Sequence, residues 1–304
     1  MTIQETLAEG TRLLKSPCSE AFIDTPELDA ALLLEETLHA NRTELIVRGS
    51  EQMSEANRKN FFRLLSKRRN GECIAYILGR REFRGLEFAV NPHVLVPRPD
   101  TETLVEAALE YIEGLSQHER AASVLPRTLL DLCTGSGAVA ISLKNERPFL
   151  NVTAADISPE ALETASLNAA RLLDTQLLNG GAPAERTAIN FIQSDIFENI
   201  SGRFDIIVSN PPYVPSGEID TLAPEIRREP RLALDGGKDG LELIKKIISR
   251  APEHLSPGGF LLLEADSEQM PAIRALLETN GFACVSIHRD LAGRERVISA
   301  GKAA

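Results

Sequence analysis

The chain has no tryptophan, three tyrosines and four cysteines in 304 residues, and each scarcity removes a class of explanation. Cys18, Cys73, Cys133 and Cys284 stand singly, without zinc-ligand spacing or the pattern of a disulfide framework, so reduced cysteines and no metal are expected. The five histidines, His39, His93, His118, His254 and His288, show no paired spacing and no neighbouring serine or cysteine motif, which argues against a histidine metal site or a nucleophile activated by histidine. No apolar run approaches the length of a bilayer span, and Met1 to Glu5 lack the basic and apolar signature of a signal peptide. A cytoplasmic location and no membrane partner are expected. A cationic excess is missing too: the formal net charge of -11 opposes phosphate neutralisation, so no direct nucleic-acid substrate is expected. The basic run Lys67-Arg68-Arg69 reads instead as the last turn of a helix stopped by Asn70-Gly71, where cations complement the dipole. With 43% hydrophobic and 25% charged residues, the chain can bury an ample core and form two domains.

What is present is more specific. Phe204 to Ser209 reads as a buried strand, and Asn210-Pro211-Pro212-Tyr213 follows at its carboxyl end. Two prolines cannot continue a ladder, so nearby carbonyls become free acceptors in a stiff backbone. An amide oxygen, a fixed carbonyl and an aromatic face suit a flat nitrogen nucleophile carrying an NH2 group, and both amides and adenine fit that description. Upstream, Asp131-Leu132-Cys133-Thr134-Gly135-Ser136-Gly137-Ala138 follows the apolar Thr128 to Leu130 and precedes the helical run Ala138 to Leu143. Strand, glycine turn and helix start in that order form a nucleotide-binding crevice. Gly135, Gly137 and Ala140 also satisfy the dinucleotide fingerprint, so the motif alone leaves the cofactor open.

Asp156 ends the next strand, Asn151 to Ala155, roughly 20 residues past the turn, where an acid grips ribose hydroxyls in such folds; Ser158 is the better cap for the helix opening at Pro159. Asp195, beyond Phe191-Ile192, could accept from an adenine amino group, with Ile196 packed on the ring. The glycine-rich Asp235 to Gly240 lacks P-loop spacing and reads as a tight loop before a helix.

Together with Pro97-Arg98-Pro99-Asp100-Thr101-Glu102, Gly71 to Gly79 and Arg289-Asp290-Leu291-Ala292-Gly293-Arg294-Glu295-Arg296, these blocks resemble the peptide chain release factor glutamine N5-methyltransferases over almost the whole chain. The resemblance implies S-adenosyl-L-methionine as cofactor, contacted by Cys133, Thr134, Gly135, Ser136, Gly137, Asp156, Ile196 and Asn210, to which the place of Asp195 after its strand adds that residue as a cofactor contact. It implies a glutamine of the release factors' Gly-Gly-Gln motif as substrate, met by Asn210, Pro211, Pro212 and Tyr213, of which Asn210, Pro211 and Tyr213 carry the catalytic role. The chain departs from the family where glycine often stands at Cys133 and an aromatic at Ile196. Alternative substrates are a glutamine of a large-subunit ribosomal protein, or adenine N6 in nucleic acid. A nicotinamide oxidoreductase would account for the glycine turn and leave Asn210 to Tyr213 unexplained.

The amino-terminal part reads as helical: Thr25 caps, Pro26 opens, and Leu28, Ala31, Leu34 and Leu38 share a face, while a helix after Ser54 carries Phe61, Phe62, Leu64 and Leu65. Glu82 to Phe88 alternates around Gly85 as a hairpin. From Pro97, beginning with a helix of Leu104, Val105, Ala108, Leu109 and Ile112, helix and strand signals alternate. Such alternation predicts a parallel sheet covered on both faces, with Phe260 to Leu263, then Phe282 to Ile287 and Arg296 to Ser299 as a closing antiparallel pair. Leu178 to Arg186 reads as a loop insertion. The expected organisation is a helical substrate-recognition domain over 1–80, a hairpin linker over 81–96 and a Rossmann-like α/β methyltransferase domain with a seven-stranded sheet over 97–304.

Overall fold

The computed structural model describes residues 1–16, 23–118, 127–173 and 188–302; the insertion at Leu178 to Arg186 and Cys18 lie outside them. The chain forms two compact units, one of Met1–Arg80 with Asp220–Arg228 and one of Arg81–Ile219 with Glu229–Ala304.

The first unit is helical: α1 (Ile3–Leu14), α2 (Pro26–Leu38), α3 (Arg42–Val47), α4 (Glu55–Arg69) and α5 (Ile74–Leu78). Local chemistry starts them. Thr2 and Glu5 form a reciprocal capping box on α1, Asn41 and Glu44 another on α3, and Ser54 Oγ accepts from the Asn57 N–H on α4. Ile3, Leu14, Leu33, Leu34, Phe61 and Leu65 pack as one cluster.

Two details of α2 correct the sequence reading. Thr25 occupies the cap position but gives no side-chain cap; its hydroxyl donates to Asp29 Oδ1 at 3.1 Å. Leu28 is exposed, and the buried face runs through Ala30, Ala31, Leu33 and Leu34, because partners on both α1 and α4 widen the stripe that must be apolar. The basic end of α4 also divides. Arg68 turns inward, with Nε 2.6 Å from Asp29 Oδ2 and Nη1 2.6 Å from Glu225 Oε2, whereas Lys67 remains outside.

The second unit opens at Arg81, inside the hairpin of β1 (Arg80–Phe83) and β2 (Leu86–Ala89), whose turn residues Arg84 and Gly85 are both at positive φ as a two-residue hairpin turn demands. A seven-stranded sheet follows: β3 (Thr128–Leu132), β4 (Asn151–Asp156), β5 (Ile189–Gln193), β6 (Phe204–Ser209), β7 (Leu255–Glu264), β8 (Phe282–Arg289) and β9 (Glu295–Lys302). Its order is β5-β4-β3-β6-β7-β9-β8, parallel except for the pairings of β9 with β7 and β8.

Strand residues alternate between two cores. Leu129, Val152, Ala154, Ile206 and Val208 meet α6 (Glu102–His118), α7 (Ala138–Glu146) and α8 (Pro159–Leu173). Leu130, Ala155, Ile207, Leu261 and Leu263 meet α9 (Glu242–His254) and α10 (Met270–Thr279) on the other face. The strand β7 begins five residues before Phe260, since Ser256 to Gly259 is taken up by an irregularity in the β6–β7 register. Among the described residues no helix is long and apolar enough to cross a membrane.

The chain runs from β3 outward to β5 and then returns to lay β6 on the opposite side of β3. That reversal opens a crevice at the carboxyl ends of β3 and β6, where open α/β sheets bind ligands.

Candidate active site

A cavity of about 1160 Å³ occupies that crevice. Cys133, Thr134, Gly135, Ser136, Asp156, Asp195, Ile196, Asn210 and Pro212 all line it, and Gly137, Pro211 and Tyr213 are their chain neighbours outside the lining.

The glycine turn is held from below by Asp131, the penultimate residue of β3, which is 1% exposed. Its Oδ2 accepts from Thr134 Oγ1 at 2.6 Å and from the Ala140 N–H at 3.2 Å, tying the turn to the first residues of α7. Burial pushes its pKa up to about 7, against those two hydrogen bonds, which favour the ionised form. A Cβ on Gly137 (φ 82) would lie 2.8 Å from Ile141 Cδ1 and 3.2 Å from Ala165 Cβ, so this glycine serves close packing. Gly135 (φ 55) faces open space, with nothing within 4 Å of where a Cβ would be, as close backbone approach by a ligand requires. Cys133 (φ 59) and Ile196 (φ 51) also take the left-handed conformation, which explains why glycine suits the first of these positions. Burial pushes the Cys133 thiol's pKa up, so the group is a neutral thiol.

Asp156 ends β4. Its Oδ2 accepts from the Gly135 N–H at 2.9 Å and its Oδ1 from the Ser158 N–H at 3.0 Å, while burial raises its pKa. Ser158 provides the α8 cap, accepting from the Ala161 N–H at 3.1 Å. Each carboxylate oxygen of Asp156 keeps a lone pair for a further donor. Asp195 is half-buried just past β5, and Ile196 is 7% exposed beside it.

Asn210 leaves the end of β6 half-buried, with Nδ2 donating to Thr101 Oγ1 at 3.1 Å. Thr101, 4% exposed, sits in the short turn that begins α6. Pro211 is buried, and the half-buried Tyr213 carries its hydroxyl 3.4 Å from Glu264 Oε1 rather than toward the cavity; burial raises its pKa. The Asp235 to Gly240 loop is a tight connection into α9, and its glycines let it lie on the prolines: a Cβ on Gly236 would come 2.8 Å from both Pro212 O and Tyr213 Cα. Val214 bonds through its backbone to this strap twice, its N–H donating to Leu234 O and its carbonyl accepting from the Gly236 N–H, each at 2.9 Å.

The structure also joins blocks that stand far apart in sequence. Arg98 pairs with the buried Glu229, whose other oxygen accepts from the Val96 N–H at 3.1 Å. Asp100 pairs with Arg296 at 3.1 Å, and Arg294 with Asp290 at 3.0 Å. Glu264, at the end of β7, is 1% exposed beside Thr101, Tyr213 and Arg296. Burial pushes its pKa up to about 7, against the Thr101 hydroxyl and the Arg296 charge. Sequence reasoning assigned no role to Asp131, Thr101 or Glu264. Asp131 had a local signal, its place opening the glycine motif; Glu264 had none beyond an acid closing an apolar strand.

Comparison with known proteins matches these features. The PrmC N-terminal domain family matches residues 5–79, and the methyltransferase small domain family residues 115–237. A release factor glutamine methyltransferase of Neisseria gonorrhoeae is 43% identical over 272 residues, covering 90% of this chain and 92% of that protein. One of Deinococcus radiodurans is 36% identical over 303 residues, covering 100% and 99%. The hMettl16 catalytic domain, solved in complex with a MAT2A 3'UTR hairpin, superposes with a TM-score of 0.52 at 14% identity over 79% of this chain and 81% of that one, a likeness of fold. A glycine turn and an Asn-Pro-Pro-Tyr segment on one crevice of a seven-stranded sheet, with near full-length identity to such relatives, place this chain in the release factor glutamine methyltransferase family.

Proposed function

We propose that this protein transfers the methyl group of S-adenosylmethionine to the side-chain amide nitrogen of a glutamine in peptide chain release factors. The observation that carries the reading is the placement of Asn210 on the same cavity as the glycine turn and Asp156. The residues present fit the cofactor: open space over Gly135, a carboxylate at Asp156 with lone pairs to spare, and Ile196 as an apolar wall. Family membership supports the substrate, because the relatives carry that activity in their names.

When bound, S-adenosylmethionine supplies an electrophilic methyl group on a sulfonium. An amide nitrogen is a poor nucleophile, since its lone pair is delocalised into the carbonyl. The work of the chain is therefore to hold that nitrogen in line with the methyl carbon and to stabilise the positive charge that develops on it. Asn210 Oδ1 and the Pro211 carbonyl accept hydrogen bonds from the two N–H groups of the amide, and the strap from Leu234 to Gly240 keeps the prolines from yielding. No strong base is needed, as the proton becomes acidic once the methyl bond has formed and leaves to solvent. Asp156 and the Gly135 turn hold the nucleoside side, with Asp195 and Ile196 at the adenine.

The test is incubation of the protein and S-adenosylmethionine with purified release factors and, separately, large-subunit ribosomal proteins, followed by tandem mass spectrometry. A methyl group on a release factor glutamine is expected. Methylation confined to a ribosomal protein would reassign the substrate, and none on either would overturn the activity.

A further inference from the structure

Glu264 is a buried carboxyl to which the transfer chemistry above gives no task. Its Oε2 has no hydrogen-bond partner among the described residues, and it lies beside Thr101, whose hydroxyl oxygen accepts from Asn210 Nδ2. Hydrogen-bond polarity links the three. The Thr101 hydroxyl favours the ionised form of Glu264, which can only accept, so the hydroxyl turns its single proton toward the carboxylate and leaves a lone pair on its other side. Of the two ends of the Asn210 amide, only the NH2 end can meet that lone pair, which sends Oδ1 the other way, to the cavity.

We infer that Glu264 is a positioning residue for methyl transfer, acting through the Thr101 hydroxyl to fix which end of the Asn210 amide faces the substrate. The inference rests on the role given to Asn210 above. The alternative amide orientation would put two N–H donors against the substrate's own NH2, a donor facing donors, and that orientation cannot hold the nucleophile. Tyr213 adds a second hydroxyl at 3.4 Å from Oε1, and Arg296, itself paired to Asp100, supplies the cation that offsets the buried charge. The blocks Pro97 to Glu102, Asn210 to Tyr213 and Arg289 to Arg296, distant in sequence, thus share one polar cluster centred on Glu264.

The experiment compares Thr101→Val, Thr101→Ser, Glu264→Ala and Glu264→Gln, alone and combined with Asn210→Ala. Single-turnover methyl transfer to a release factor is measured at saturating cofactor, and cofactor affinity by calorimetry. Thr101→Val and Glu264→Ala should slow transfer roughly 10- to 100-fold, the scale of a misplaced reactive group, with cofactor affinity nearly unchanged. Thr101→Ser and Glu264→Gln, which restore a hydroxyl and an acceptor, should recover most of the rate. On the Asn210→Ala background neither Thr101→Val nor Glu264→Ala should cost more, because the group they orient is gone. Wild-type transfer by Thr101→Val and Glu264→Ala beside a slow Asn210→Ala overturns the positioning role and leaves the Asn210 reading intact. A wild-type rate for Asn210→Ala overturns both, whereas full additivity overturns the positioning role alone. Should Glu264→Ala fail to fold, the Thr101 pair decides the matter.

Discussion

At the residue scale the site is governed by buried carboxyls whose partners are backbone and hydroxyl groups. Asp156 already accepts from two backbone N–H groups, so replacing it touches both the ligand and the turn. Asp156→Ala should weaken S-adenosylmethionine binding by roughly 1.5–3 kcal/mol, the value of hydrogen bonds to a charged group, in a protein that still folds. Titration calorimetry reads this directly, and unchanged affinity would remove Asp156 from the cofactor site. Asp131 acts on stability with a definite sign. Its folded pKa, about 7, stands above the ordinary aspartate value, so between roughly pH 4 and 7 the native state keeps a proton that the unfolded chain has lost. That contribution to stability falls as the pH rises through this range. Asp131→Asn has no such step, and its stability relative to wild type should improve by on the order of 3 kcal/mol from acid to neutral pH. Denaturant titrations of both proteins across the range check this; a constant difference would place the Asp131 pKa near its ordinary value. Gly137→Ala should destabilise by about 1–2 kcal/mol for its left-handed backbone alone, with the Ile141 contact adding to it, and a lowered melting temperature is the readout.

At the element scale, most of what sequence periodicity foretold is present, and the reasons for the exceptions are physical. The strand Phe204 to Ser209 has the bounds that its apolar run dictates, since it is buried on both faces. The helix α2 differs from its expected face because a helix packed between two others buries a wider arc than one stripe. The segment Asp220–Arg228 belongs to the helical unit although its sequence lies inside the other, and nothing local announces that. Arg68 joins it there, its guanidinium shared between the buried Asp29 and Glu225. Arg68→Leu would leave Asp29 as an uncompensated buried charge, and a loss of about 3–5 kcal/mol in the stability of the helical unit is expected. Chemical denaturation followed by hydrogen exchange in α2 and α4 tests it; protection equal to wild type would show the pair to be dispensable.

At the scale of the whole molecule, the two units invite separation of binding from recognition. We expect the helical unit to serve recognition of the protein substrate, and a protein lacking residues 1–80, with 220–228 replaced by a short flexible linker, to bind S-adenosylmethionine while losing transfer to an intact release factor. Equal turnover by the shortened protein would reject that role.

Sequence alone determined the chemistry that depends on residue type and local order: a glycine turn after a strand, two prolines after another, an acid at the end of a third. These are legible because backbone conformation, proline's missing N–H and the two-residue alternation of strands act over a few neighbours. It also determined the family resemblance, through the blocks around Pro97, Asp131, Asn210 and Arg289. Only the tertiary structure decided that Asn210 hangs on Thr101, that Thr101 faces Glu264, that Tyr213 turns away from the cavity, and that Asp220–Arg228 crosses into the helical unit. Each of those facts brings together residues far apart in the chain, and the polar ones follow from the need of a buried polar group to find a partner wherever the fold brings one.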